Sequence, residues 1–233
     1  MAQCPFAFIN DRQRHVICLV GGGGKTTVMY ELAAAYAMQG RRVLVCTSTH
    51  IQQPQAAVWA KCVQEAQGLW RSGSYAVIGE AEVQTGKLTA PSQKLYAVLA
   101  QESDIVLCEA DGAKRLPCKL PAAHEPVLLT DCDIVLAVAG MDALNKTLAE
   151  ACFRPQLAEK LFAKQLCDVI DERFLAQVLL SPQGTRKNVG ERAFFIVLNK
   201  CDVAGSAQIA LLRQLLLAAG MEAGRIWLRG EMR

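Results

Sequence analysis

The chain has 233 residues, of which 52% are hydrophobic, 20% charged and 6% aromatic. Composition and length exclude a disordered chain, a collagen-like rod and a coiled coil, and a chain this long buries roughly 70–75% of its unfolded surface. The 25 basic and 22 acidic residues leave a formal charge of +3, without the dense basic stripe that marks a nucleic-acid partner. No apolar run approaches the ~20 residues of a membrane span. The start, MAQCPFAFINDRQRH, lacks the apolar stretch of a secretory signal. The expectation is a cytoplasmic protein with no nucleic acid and no membrane as partner. Its ten cysteines form no CxxC and no zinc-like Cys–His spacing, and several lie in apolar runs, so reduced thiols are expected.

In chain order, His15–Val20 is a short continuous apolar run, the pattern of a strand buried on both faces of a parallel sheet. Thr26–Gln39 then places Met29, Leu32, Ala33 and Tyr36 on one helical face, with Gly40 as the stop. Arg42–Cys46 repeats the strand pattern. Residues 54–101 are less regular and read as an insertion. Within it, Tyr75–Ile78 and Val83–Leu88, with Thr85-Gly86 between apolar positions, predict a small hairpin. Asp104–Cys108 is the next strand. The stretch from Arg115 to Pro126 holds three prolines, which predict an ordered loop rather than a helix. Asp133–Val138 is again a strand, and residues 141–192 read as mainly helical, ending in the polar SPQGTRKNVGER. Ala193–Leu198 and Arg225–Leu228 are two further strands. They flank a helix over Ser206–Ala219, with Ile209, Leu212, Leu215 and Leu216 inward and Gly220 at its end. This alternation predicts one α/β domain over residues 1–233, a mainly parallel sheet flanked by helices with right-handed crossovers.

The strongest chemical signal is HVICLVGGGGKTTVMYELAAAYAMQG. An apolar strand enters four glycines, Gly21, Gly22, Gly23 and Gly24, then Lys25, Thr26 and Thr27, then an amphipathic helix. Glycines let the backbone wrap so that successive N–H groups face phosphate oxygens, and the helix N-terminus adds partial positive charge. Lys25 would reach the β- and γ-phosphates and the Thr26 hydroxyl would bind Mg²⁺. Leu19 stands where the strict GxxxxGK[ST] pattern has its first glycine. The run is similar instead to the GGxGK[ST]T variant of metal-insertion and partition-type NTPases, although Val20 occupies the place where those often carry a second lysine.

A second signal is the apolar run Asp104–Cys108 ending in Glu109, Asp111 and Gly112. An NTPase needs a carboxylate at the end of the strand beside the phosphate loop, to hold Mg²⁺ directly or through water; the same pattern also serves as a plain strand exit. Thr47, Thr49 and His50 end the second strand at the same sheet edge, where they could meet Mg²⁺, its waters or a substrate, or simply form a polar turn. A third signal is Asn199, Lys200 and Asp202, an NKxD after a late apolar strand. The Asp202 carboxylate can accept two hydrogen bonds from the N1–H and amino group of guanine, a donor pair that adenine lacks. Asn199 would tie loop to base and the Lys200 stem would pack along the base plane. GTP is therefore favoured, with ATP the alternative.

GGGGKTT, TSTHIQQP, LCEADGAKRLPCKLPAAHEPV, AGMDAL with FRPQLA, and LNKCD together resemble the YqeC family over nearly the whole chain. The resemblance implies an accessory role in maturing a selenium-dependent molybdenum hydroxylase, with that hydroxylase or its cofactor-handling proteins as partners. The nucleotide-binding half is also similar to nickel-insertion GTPases, whose histidine-rich tract this chain lacks. Analogy with related NTPases suggests a homodimer closing across the nucleotide. The loop Lys114–Glu125 carries Lys114, Arg115, Lys119, His124 and Glu125 directly after the acidic strand. It reads as a switch or substrate loop, with Lys114 and Arg115 meeting phosphate or an anionic cofactor and His124–Glu125 as a proton-transfer pair, or as a solvated proline-rich loop. Arg154 fits a salt bridge or an anion ligand equally. The leading expectation is a Mg²⁺-dependent GTPase. A nucleotide-latched binding module and an ATP-using small-molecule kinase or nucleotidyltransferase are the alternatives.

Overall fold

A computed structural model describes Phe6, Asp11 and residues 13–230; Cys4, counted above, lies outside them. In chain order the elements are β1 (His15–Gly21), α1 (Lys25–Met38), β2 (Val43–Thr47), β3 (His50–Gln52), α2 (Val63–Arg71), β4 (Ala76–Val77), β5 (Glu80–Glu82), β6 (Lys87–Thr89) and α3 (Gln93–Glu102). They continue with β7 (Ile105–Glu109), β8 (Cys118–Lys119), β9 (Ile134–Gly140), α4 (Leu148–Ala151), β10 (Cys152–Phe153), α5 (Leu157–Phe162), α6 (Glu172–Leu180), β11 (Ala193–Asn199), α7 (Ser206–Ala218) and β12 (Ile226–Leu228). Seven strands form one parallel sheet in the order β12-β11-β9-β1-β7-β2-β4. The protein is an α/β structure with helices against this sheet.

The strands are apolar throughout because both faces are covered. Val16, Cys18 and Val20 pack with Leu99, Phe174 and Leu212 on one face, while Ile17 and Leu19 pack with Met29, Leu32 and Tyr36 of α1 on the other. Burying each of these α1 side chains is worth on the order of 2 kcal/mol, and that packing fixes where the first turn of α1 points. The centre of the sheet is β1, between β7 and β9. Leu19 and Thr47 are both in register with Glu109, so the carboxyl ends of β1, β2 and β7 meet at one edge. Ligands of open α/β sheets bind at that kind of edge.

Two expectations need correction. Ala76 and Val77 do not belong to a hairpin. They are fully buried and join the main sheet parallel to β2, opposite Leu44 and Val45. The hairpin is β5 with β6, Glu80 to Thr89, and Gly86 at φ 64° makes its turn; β3 adds a third antiparallel strand. Residues 141–192 hold only short helices, α4, α5 and α6, separated by turns and by the β10 strand, which pairs with β8 inside the proline-rich loop. The nine cysteines among the described residues are free thiols. Among those residues no helix is long and apolar enough to cross a membrane.

Candidate functional site

The edge beyond β1, β7 and β11 gathers most of the residues named from the sequence. The first turn of α1 presents Lys25 and Thr26 toward β7. The Thr26 hydroxyl donates to Glu109 Oε2 at 2.6 Å. Lys25 Nζ donates to the Gly21 carbonyl at 2.6 Å and lies 3.1 Å from Asp111 Oδ1 and 3.7 Å from Glu109 Oε1. Lys25, Glu109 and Asp111 are all buried. Burial raises the Glu109 pKa above the ordinary carboxylate value, against the pull of Lys25 and the Thr26 hydrogen bond. One helical turn past Thr26, the Tyr30 hydroxyl is buried without a hydrogen-bond partner. Burial, with Tyr75 and Glu109 nearby, pushes its pKa up to about 12.

The glycines serve the loop differently from the expectation. The N–H groups of Gly21, Gly22 and Gly23 do not face an open site. Gly21 donates to Asp111 Oδ2 at 3.1 Å, Gly22 to the Val138 carbonyl at 2.9 Å and Gly23 to the Leu116 carbonyl at 2.9 Å. The amides without an intrahelical acceptor are those at the start of α1, Gly24 to Thr27. No acidic side chain of α1 itself stands in that first turn; the carboxylates that face its partial positive charge come from β7 and the residues after it, Glu109 and Asp111. Glycine is still required. Gly23 (φ 79°) lies so close to Gly140 that a Cβ would run into its backbone nitrogen, and on Gly24 (φ 113°) a Cβ would strike the Asn199 amide.

That Asn199 amide is the second anchor. Buried at the end of β11, it donates to the Gly23 carbonyl at 2.6 Å, and its oxygen accepts from the Lys200 N–H at 3.0 Å and from Arg229. Asn199 thus ties the NKxD segment to the glycine loop. Lys200 takes a left-handed backbone (φ 62°) and turns its ammonium to Asp142, 2.7 Å away. Asp202 is exposed on a short 3₁₀ turn, Cys201–Val203, beside Gly230.

A chain of buried charges backs the glycine loop. Lys119 Nζ lies 3.0 Å from Asp111 Oδ2 and 2.9 Å from Glu125 Oε2, and Glu125 also takes both terminal nitrogens of Arg154. Burial works to raise the Glu125 pKa, but the hydrogen bonds from Arg154 and Lys119 prevail and hold it below the ordinary value. Burial lowers the Lys119 pKa, and its two carboxylates oppose that. The proposed His124–Glu125 proton-transfer pair is not assembled: His124 is exposed, whereas Glu125 is buried against Lys119 and Arg154.

The remaining candidates are spread out. Thr47 donates to the Glu109 carbonyl at 2.9 Å and accepts from the Thr49 N–H at 3.0 Å, so its hydroxyl braces the strand end. His50 is not at this edge contact; its ring faces Glu82 on β5 at 3.7 Å. Lys114 and Arg115 are exposed. From the sequence Lys119 is named only as a member of the Lys114–Glu125 loop, with no role of its own, and Asp142, Arg229 and Glu31 are not named at all, the last two joined at 2.7 Å. Lys119, placed between Cys118 and Leu120, carried the one local signal, a charge within an otherwise apolar pair of neighbours.

Among the described residues no three His, Cys, Asp or Glu side chains cluster as a metal site. The Thr26–Glu109 oxygen pair, with the Tyr30 hydroxyl orphaned beside it, suits instead a Mg²⁺ that keeps most of its ligands as water and phosphate.

Residues 17–156 match the family model described as YqeC protein. The chain belongs to the YqeC family. It is also 30% identical over 226 residues to the uncharacterized protein YqeC of Escherichia coli (strain K12), covering 91% of this chain and 88% of that one. The matched residues include the glycine loop, Glu109, Asp111 and the whole Lys119–Glu125–Arg154 chain, while Asn199 and Asp202 lie beyond the family model.

Proposed function

We propose that this YqeC-family chain binds a purine nucleoside triphosphate with Mg²⁺ on the Gly21–Thr27 loop. In this reading it acts as a GTPase-type accessory factor in the maturation of a selenium-dependent molybdenum hydroxylase. The observation that carries the nucleotide reading is the convergence of Lys25, Thr26, Glu109 and Asn199, from three elements, on one sheet edge. The Gly24–Thr27 amides would receive the phosphates, with Lys25 leaving its carboxylate partners for the β- and γ-phosphate oxygens. Thr26 and Glu109 would hold Mg²⁺, with Asp111 nearby. The bound ion would supply the charge that neutralises the phosphates during transfer to water. Gly21, Gly22 and Gly23 set the loop path, and Asn199 links it to Asp202, which would accept from guanine. The accessory role is what the family resemblance implies.

Calorimetry of Mg²⁺-dependent GTP and ATP binding, for the wild type and Asp202→Ala, tests this. Tight GTP binding that collapses in the variant is expected. ATP binding as well as GTP, indifferent to the substitution, would make the NKxD a strand-end turn; no binding of either would remove the nucleotide reading.

A further inference from the structure

Where the Asp111 segment turns away from the sheet, cations crowd a single aromatic ring. Around Phe153, Arg154 Cζ lies 4.4 Å from the ring centroid, Lys114 Nζ 5.5 Å and Lys119 Nζ 5.9 Å. The neighbouring Arg115 is exposed. Lys114, Arg115 and Arg154 all hold left-handed backbones, with φ of 47°, 65° and 63°. Such conformations are strained for residues with a side chain, and strain of this kind persists only where the surroundings impose it. Here the surroundings are the β8–β10 pairing, which sets Lys119 opposite Phe153, and the Leu116 carbonyl on Gly23.

The charges in this cluster do not cancel. Glu125 is shared between Lys119 and Arg154, and Asp111 between Lys119 and Lys25. Among the described residues Lys114 and Arg115 form no ion pair with a carboxylate. Like charges held around one ring repel each other, the more so over an apolar surface that excludes water. Arg154, clamped from behind by Glu125, still has N–H donors to spare, and its side chain is 27% exposed. A fixed fork that shares its ring with the exposed Lys114 ammonium is an arrangement suited to a multiply charged oxyanion.

We propose that Lys114 and Arg154, both set over Phe153, together with the exposed Arg115 that follows Lys114 in the chain, bind the dianionic head of a second ligand, a phosphate or similar tetrahedral oxyanion, next to the glycine loop. The site is distinct from the nucleotide cradle. Its backbone joins that loop through Leu116–Gly23, and its charges join Lys25 through Lys119 and Asp111. The proposal rests on the charge geometry alone and stands or falls separately from the nucleotide reading.

Titration of the full chain with inorganic phosphate at low ionic strength, followed by ³¹P NMR, tests it. Saturable binding is expected, weakened about tenfold or more in Lys114→Ala/Arg115→Ala and retained in Lys25→Ala, whose GTP binding is measured alongside. The two exposed positions make the double variant safe for folding, which an unchanged thermal midpoint verifies. Absence of saturable binding, or phosphate affinity unchanged in the double variant, overturns the proposal. Loss in Lys25→Ala as well as in the double variant places the anion on the glycine loop and also overturns it. Glycerol 3-phosphate binding more tightly than inorganic phosphate identifies the ligand as a phosphorylated small molecule; equal affinities identify it as a free oxyanion.

Discussion

The two ends of the candidate site, the one proposed for phosphates and the one proposed for the base, are built on different principles. At the phosphate end Lys25, Asp111, Lys119, Glu125 and Arg154 form an unbroken alternation of charges, most of it out of water. At the base end one buried side chain, Asn199, makes the tie to the glycine loop, and the outer pairs Lys200–Asp142 and Arg229–Glu31 are partly exposed. The phosphate end is therefore part of the protein's frame. The base end is attached to that frame and open to change.

Lys119→Met should break the comparison's stronger side. It leaves Asp111 and Glu125 buried with too little positive charge, and removing one member of a buried ionic set costs about 3–5 kcal/mol. The expected result is a large fall in the urea midpoint. A stable Lys119→Met variant would mean that the charge chain is incidental to the frame.

Glu125→Gln sharpens the same side through pH. The folded Glu125 pKa lies below its ordinary 4.5, so its carboxylate contributes stability at pH values above 4.5. That contribution fades as pH falls through the lower folded value. At pH 7 the variant should be less stable by about 2–3 kcal/mol, the worth of charge-assisted hydrogen bonds. The two unfolding curves should converge on acidification below 4.5. A deficit independent of pH would assign the loss to packing. Glu109 points the other way. Its pKa is raised from 4.5, so its ionised form weakens the fold above that pH, as is common at functional sites. Glu109→Gln should raise the midpoint at pH 7, show no gain below pH 4.5, and weaken Mg²⁺-dependent nucleotide binding.

Asn199→Ala comes next in size. It removes the bond to the Gly23 carbonyl and leaves buried polar groups unpaired, a loss of about 1–3 kcal/mol. Both GTP and ATP affinity should fall with it, because the glycine loop loses its brace. Unchanged affinity for both would detach the NKxD segment from the loop.

This division also marks what was legible in the sequence. Buried parallel strands betray themselves as apolar runs, so all six strands read from them lie in the sheet. Lys25, Thr26 and Glu109 are picked out together, and do meet at the sheet edge, because a glycine loop followed by Lys-Thr and an acid at a strand end are local patterns. Ala76–Val77 was misread because two residues carry no period, and alternation in the next few residues drew the hairpin too early. Arg229 and Glu31 stand 198 positions apart and Arg154 and Glu125 stand 29 apart, so no window contains either pair. The use of the Gly21–Gly23 amides was likewise hidden, since their acceptors come from β9 and from the loops after β7. The pattern showed that glycine was needed, not which partner would take each N–H.

The smallest effect on the fold belongs to Asp202, and it bears on the base end alone. Asp202 is exposed and no buried group depends on it, so Asp202→Asn should leave the unfolding midpoint within about 0.5 kcal/mol of the wild type. Its effect on binding should be selective. An amide keeps one acceptor oxygen but turns the other into a donor, which opposes the guanine amino group and matches a carbonyl at the same ring position. GTP affinity should drop, ATP affinity should stay as it was, and xanthosine triphosphate, which carries that carbonyl, should gain. Calorimetry with the three nucleotides reads this directly. A uniform loss for all three, or a shifted midpoint, would show that the base end is as much frame as the phosphate end, and the contrast between them would fail.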